Sequence, residues 1–403
     1  MFRNTFSKEL TELSKITFLS IIILFIGCSP NDKNSLSERI NSVENLTVYA
    51  ANAQPPYQIK LKEEQAYSST DEIHIGKLHS IAVDDVGRVY LADANQRNIK
   101  VYKEDGDFLT LLGKEGQGPG EFNEITNIEI IENRLFAYDH NQQRAIVFSL
   151  DSLSYDFTIN LAENREEWAE LGDAYFSKPY VRRDGTFLVE FIKPNMSKTK
   201  NDWELIENNG LYYFLDKKGQ IASEKLFEKK SSIQVLVPLP GRRVGMPISV
   251  YGKSMVSLSD ENIIYTAWST DFLIKIYGSD GEYERAFYYP IDEVPLTAES
   301  ISKVGSQLLQ KGMSSMDLPE SWPVLNTLLV DDENRLWVST TVEDYEVYEW
   351  WVLNKNGKLI TKFEWPRDDS IEEVKNGYVY TRETDEMGLE ATFRYDIEFL
   401  EKQ

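Results

Sequence analysis

The chain has 403 residues, 41% of them apolar and 12% aromatic, enough to bury a sizeable core and too apolar for a disordered chain. Its formal net charge of -23 argues against nucleic acid, which needs a basic surface, and against electrostatic docking on anionic lipid. An acidic surface kept in solution by self-repulsion is the simple reading of that balance.

In chain order, Arg3, Lys8 and Lys15 precede the apolar run ITFLSIIILFIG, residues 16–27, which ends at Cys28, the only cysteine. The run is too short to span a bilayer comfortably and matches the core of a signal peptide, although Glu9 and Glu12 are untypical of the leading region. FIGC resembles a bacterial lipobox, with Phe25 in place of the usual Leu. The resemblance implies that Cys28 is diacylated and begins the mature protein. It also implies export to a bacterial cell envelope, with a lipid anchor at the outer membrane or periplasmic face. A single cysteine leaves no internal disulfide. The polar stretch 29–45 reads as a tether. The expected organisation is therefore a lipoprotein signal peptide over 1–27, a flexible tether over 28–46 and one folded domain over 47–403.

That domain is built from a repeat. IAVDDVGRVYLAD, residues 81–93, is an apolar strand, an acidic turn ending in glycine, and a second apolar strand. Asp84 can hydrogen-bond backbone where the turn begins, and Gly87 can adopt the left-handed conformation that closes it. The unit recurs at 128–139, 180–191, 256–268, 328–340 (LLVDDENRLWVST, with Asp331 and Asn334 in the turn) and 371–382. Second hairpins turn at Asp105-Gly106, near Ser152, and at Gly219, Gly281 and Asn356-Gly357. The step from first to second turn is 19 residues in copies one, two and four (87 to 106, 133 to 152, 262 to 281). Two hairpins make a four-stranded antiparallel blade, and six blades around an axis make an all-β, six-bladed β-propeller.

The spacing also locates extra chain. First turns at 185 and 262 lie 77 residues apart, so blade three carries insertions, PNMSKTKNDWELIENNG (194–210) and the loop SIQVLVPLPGRRVGMPISVYG (232–252). Residues 296–316 hold a short helical insertion, with Thr297 as cap and Ile301, Val304 and Leu308 on one face. The last blade lacks a strand, and YQIKLKEE (57–64) is a candidate to close it and remove both open edges. The glycine-rich LLGKEGQGPGEF (111–122) has no GxxxxGK[ST] ending, carries Pro119 without an N–H, and precedes a strand. It reads as the crossing between blades one and two, with Phe122 as a plug, rather than as a phosphate loop.

The stretch from Ile81 to Phe122 resembles the NHL-repeat type of blade, and residues 57–400 as a whole resemble the six-bladed propeller lipoproteins of Bacteroidota-type bacteria. The resemblance implies the fold and a surface location. Propellers of the NHL type generally bind proteins, nucleic acid or small ligands, and a few are enzymes.

Function has to be sought at a site rather than in the fold. The resemblance puts that site at the channel mouth, where the innermost strands begin, and His79, Thr126, Asn127, Ser254, Asn326 and Thr327 are the polar candidates there. Histidine is scarce (His74, His79 and His140), and His74 and His79 are five apart, so they do not share a strand face. No zinc-type ligand set assembles, and neither metal nor cofactor is expected. No GxSxG or Ser/His/Asp set is present, so catalytic residues stay unassigned. Asp84-Asp85 and Asp331-Asp332 are turn residues without the pattern of a calcium loop. The acidic cluster 162–173 reads as a solvated face, and DYEVYEWWVLN (344–354) as a strand with aromatics buried on both faces. The leading expectation is a lipid-anchored binding or scaffold module, whose partners are the membrane through its lipid and a protein, small-molecule or glycan ligand. The alternative is a propeller-type lyase or hydrolase acting on a sugar or lactone in the channel.

Overall fold

The computed structural model describes residues 37–70, 73–161, 171–195, 204–239, 242–304, 317–384 and 388–402. The apolar run 16–27, Cys28, the acidic residues 162–170 and the second half of the 296–316 insertion lie outside the described residues. Two compact units result, Met1–Val43 and Glu44–Gln403. Within the first, Glu38–Asn41 form a turn of helix whose N-cap is Ser37.

The second unit is a six-bladed β-propeller. Its blades begin with the strands Leu78–Val83, Ile125–Ile131, Tyr175–Val181, Ser254–Leu258, Leu325–Val330 and Ser370–Lys375, and each runs outward through antiparallel neighbours. Six apolar clusters sit between the blades. Tyr90, Ile99 and Val101 of blade one, for example, meet Ile128, Ile146 and Phe148 of blade two. Alternation along a doubly covered strand explains the tryptophan pair. Trp350 packs toward blade six and Trp351 toward blade four, both almost wholly buried.

The repeat's acidic turn has one chemistry, used twice. Asp84 Oδ1 accepts from the Val86 and Arg88 amides (3.1 and 2.9 Å), and its Oδ2 takes the Arg88 guanidinium (2.6 Å) and the Tyr90 phenol (3.0 Å). Asp331 does the same with Glu333, Arg335 and the indole N–H of Trp337 (2.8 Å). Gly87 and Asn334 close these turns at φ 80° and 60°.

Closure comes from the N-terminal side. Tyr57–Tyr67 pairs antiparallel with Glu390–Glu401 as the outer strand of blade six, three residues longer than the expected segment. A second segment, Leu46–Val48, pairs in parallel with Tyr283–Tyr288 and adds a fifth strand to blade four. Blade three also has five strands. The stretch 232–252, expected as a loop, instead extends the strand Phe227–Leu239 and turns back as Arg242–Pro247, which pairs with it in antiparallel register. The apolar side chains of that stretch explain the difference: Val235 and Val250 are buried beside Trp322 and Ile301, the latter on the helix Ala298–Val304. Thr297 caps that helix through Oγ1, which accepts from the Ser300 amide at 3.1 Å.

The glycine loop presents carbonyls, not amides. Arg144 donates to the carbonyls of Gln117, Gly118 and Glu121 (3.1, 3.4 and 2.7 Å), while the Gly118 amide is taken by the Glu121 carboxylate at 2.9 Å. Phe122 is fully buried 6.0 Å from Phe148. Gly113 has φ 71°, and a Cβ there would overlap the Phe122 ring. Gly113→Ala should therefore cost about 1–2 kcal/mol from its left-handed backbone alone, and more as Phe122 is displaced. Gly118→Ala, at an ordinary φ, should cost clearly less. Chemical denaturation of the two variants checks the order.

Candidate functional site

The first strand of every blade lines a central channel of about 710 Å³. In five of the six blades that strand carries a β-bulge near its start, and the bulged residues are His79, Thr126, Ser177, Asn326 and Glu372. A bulge leaves one residue out of the ladder and re-aims its side chain. All five residues are polar, and four of them (His79, Thr126, Ser177 and Glu372) line the channel. Blade four keeps a regular register from Ser254↔Trp268 onward and has no such residue.

Of the six sequence candidates, the structure brings His79, Thr126 and Asn127 together on the channel wall. Asn127 is committed on both sides: its Oδ1 accepts from Ser80 Oγ of blade one (3.2 Å) and its Nδ2 donates to Glu129 Oε1 (2.6 Å). The other three are not among the lining residues. Ser254 Oγ meets the phenol of Tyr212 (3.4 Å), while Asn326 bonds to Lys253 Nζ (3.5 Å) and to Thr327 Oγ1 (3.2 Å). Blade four's missing bulge accounts for Ser254, because side-chain aim there follows the plain pleat.

Residues that the sequence reading passed over dominate the interior. Glu129 accepts the Val181 amide of blade three at 2.9 Å, so with Ser80 and Asn127 it ties three inner strands together. Ser177 Oγ donates to the buried Glu190 (3.2 Å), which also holds the Tyr212 phenol (2.9 Å). Burial, reinforced by Glu190 and Glu129, pushes the Tyr180 phenol well above its ordinary range. Behind this wall, desolvation pulls Lys229 down to about 7 while its ammonium donates to the Met255 and Ala267 carbonyls at 3.0 Å each. The signal that identifies Glu129 and Glu373 was present in IEII and IEEV, where a glutamate stands inside an otherwise apolar inner strand.

At the far end of the channel the first-hairpin turns grip one another. Arg183 pairs with Asp260 (3.0 Å), the Asn376 amide donates to Asp332 (2.8 Å), and Lys375 pairs with Asp85 (2.9 Å). The Lys375 hydrogen bond holds the Asp85 carboxyl below its usual range. Between mouth and turns lies Glu373. Desolvation, with Asp332, Glu129 and Asp260 adding repulsion and Lys375 opposing, lifts its carboxyl to about 8. Desolvation likewise raises Glu129, against its donors. Among the described residues no three His, Cys, Asp or Glu side chains are placed to hold a metal ion.

Comparison with known proteins agrees with the fold. A family model, DUF5128, described as a 6-bladed beta-propeller, matches residues 67–238. No curated protein matches the chain. Among solved structures, a member of the DUF4221 family from Bacteroides vulgatus aligns at 10% identity and TM-score 0.52, over 86% of this chain and 100% of that one. A protein from Bacteroides fragilis, provisionally described as exported, aligns at 13% identity and TM-score 0.49, over 88% and 99%. The calcium-binding protein regucalcin from Agrobacterium tumefaciens aligns at 12% identity and TM-score 0.41, over 88% and 97%. At such identities the likeness concerns the fold alone.

Glu373 makes a prediction about pH. Its folded value lies above the ordinary 4.5, so the unfolded chain ionises first and stability falls as pH rises from about 4.5 through about 8. Glu373→Gln removes that titration. Its stability gain over wild type should be negligible at acid pH, grow across this window, and level off above it, as read by denaturant titrations at stepped pH.

Proposed function

We propose that the protein is a lipid-anchored module of the bacterial cell envelope that binds a ligand or partner at the mouth of the propeller channel. The observation that carries the reading is the set of bulges, which spend ladder hydrogen bonds to turn polar side chains toward one place. The lipobox resemblance at Cys28 supplies the anchor, and a net charge of -23 disfavours nucleic acid as the partner. The second reading, a lyase or hydrolase acting on a sugar or lactone, has one observation in its favour. A carboxyl held protonated near neutrality, as at Glu373, is what a general acid requires.

Two measurements test the proposal. Cys28→Ser should move the protein out of the membrane fraction and end incorporation of labelled palmitate; a variant still membrane-bound would overturn the anchor. Paired substitution of His79→Ala and Thr126→Val, neither of which holds a buried partner, should weaken capture of envelope components at least several-fold without altering the melting transition. Unchanged capture would overturn the mouth as the binding surface. Turnover of a sugar or lactone that disappears in Glu373→Gln would establish the second reading instead.

A further inference from the structure

The middle of the channel, below the bulged residues, has a charge pattern of its own. The Glu373 carboxyl has no hydrogen-bond or ion-pair partner among the described residues, although it stands on the wall of the cavity. Glu129, on the inner strand of blade two, shares that space and repels it. The cations nearby have other partners, although Lys375 still attracts Glu373 and Lys178 still attracts Glu129 through space. Arg183 is paired with Asp260 (3.0 Å) and Lys375 with Asp85 (2.9 Å). The neighbouring Glu372 takes Arg382 (2.7 Å), and the Lys178 ammonium lies over the ring of Tyr180, 4.8 Å from its centroid. Asp332, at the turn of blade five, adds a further negative charge. What Glu373 lacks is a cation bonded to it, since Lys375 is turned to Asp85 and offsets its charge only in part.

We propose that the channel takes a small organic cation, a primary ammonium carried on a hydroxylated or short aliphatic skeleton, against the carboxyls of Glu373 and Glu129. The inference rests on the channel being a ligand site, and it names the class of ligand. The cavity, at about 710 Å³, is far larger than a metal ion, and the described residues place no three metal-binding side chains together. An ammonium group needs no such set: its N–H donors serve the unpartnered Glu373 carboxyl, and Glu129, already holding Asn127 and Val181, adds negative charge nearby. The hydroxyls of Ser177 and Thr126 at the mouth suit the polar remainder of such a molecule.

Binding is linked to protons. The cation favours the ionised form of Glu373, so at a pH below the free value it must displace the proton already there. Affinity should then fall about tenfold for each pH unit below about 8. This sign is opposite to that for a neutral polyol, which a protonated carboxyl serves as donor.

The test uses matched probes, 1-amino-1-deoxysorbitol against sorbitol and butylamine against butanol, titrated calorimetrically into the full-length protein at pH 6, 7 and 8.5. The inference expects each amine to bind at least tenfold more tightly than its neutral counterpart, a difference of about 1.4 kcal/mol. Each amine should release about one proton per site at the lower pH, seen as a dependence of heat on buffer. Glu373→Gln should abolish both the preference and the proton release, and Glu129→Gln should reduce the preference, with melting curves confirming that both variants are folded. Equal binding of charged and neutral members overturns the inference and leaves the channel as a ligand site. Binding by neither member of either pair, at millimolar concentration, overturns the inference and the channel reading together.

Discussion

Everything in the propeller depends on one ladder, the pairing of Tyr57–Tyr67 with Glu390–Glu401. A ring of six sheets has two loose ends, and until they meet the outer faces of blades six and one have no lasting cover. The ladder brings Tyr67 into that seam, fully buried, with its phenol on the Glu104 carbonyl of blade one (3.0 Å). The rest of the N-terminal segment reinforces the same arc. Leu46–Val48 runs along blade four, Tyr49 stacks on Tyr289 at 4.9 Å and donates to the Asn356 carbonyl of blade five (2.9 Å), and the Tyr57 carbonyl accepts from Thr361 (3.0 Å). Chain arriving from the N-terminus is thus fastened across blades four, five and six. A pull along it loads the blade-four pairing before it reaches the closing strand.

Within that ring, buried aspartates do the work of making blades alike. Asp93 and Asp139, at the ends of second strands, accept backbone amides from the crossings that lead into their own blades (Gly76 at 2.6 Å, Asn123 at 2.8 Å). Asp93 is matched by the buried Lys100 (2.7 Å), and its carboxyl sits below the usual range because Lys100 and the Gly76 and Gln96 amides outweigh desolvation. Asp84 and Asp331 do the equivalent at the opposite end of the hairpin. A carboxylate satisfied by several amides and one cation suits burial, because no lone pair is left dry. The same residue type left without such donors, as the carboxyl of Glu373 is, has a different role open to it.

How much of this could be read from residues follows from what each feature depends on. The hairpin turns depend on local chemistry, Asp at the start and Gly or Asn at the left-handed position, so blade count and the strand that closes the ring were both legible. The buried faces of Trp350 and Trp351 followed from alternation. Register irregularities did not show, because a bulge is decided by how two strands and their neighbours pack, and His79 or Asn326 looks the same in a regular strand. Three of the six mouth candidates line the channel, while Ser254, Asn326 and Thr327 bond elsewhere, Asn326 despite its bulge. The fifth strand of blade three was missed for a related reason. In SIQVLVPLPGRRVGMP the proline and glycine signal a loop, and only the burial of Val235 and Val250 against Trp322 shows that the chain on either side is sheet.

The channel's chemistry is set by position rather than by motif. A glutamate on an outer strand faces water and is unremarkable, but the inner strands converge, and Glu129 and Glu373 from blades that are distant in sequence come to share one channel. Their repulsion opposes folding, and beside buried carboxylates such as Asp84, Asp93 and Glu190, each held by hydrogen-bond donors, one without a bonded partner is the exception. The turns below are knitted by Arg183–Asp260, Asp332–Asn376 and Lys375–Asp85, so the walls have little freedom to relax and supply a counter-charge themselves. On the proposed reading, a carboxyl held without a bonded partner on walls knitted at one end is matched to a ligand that arrives from outside, and the polar bulges at the mouth stand where it would enter.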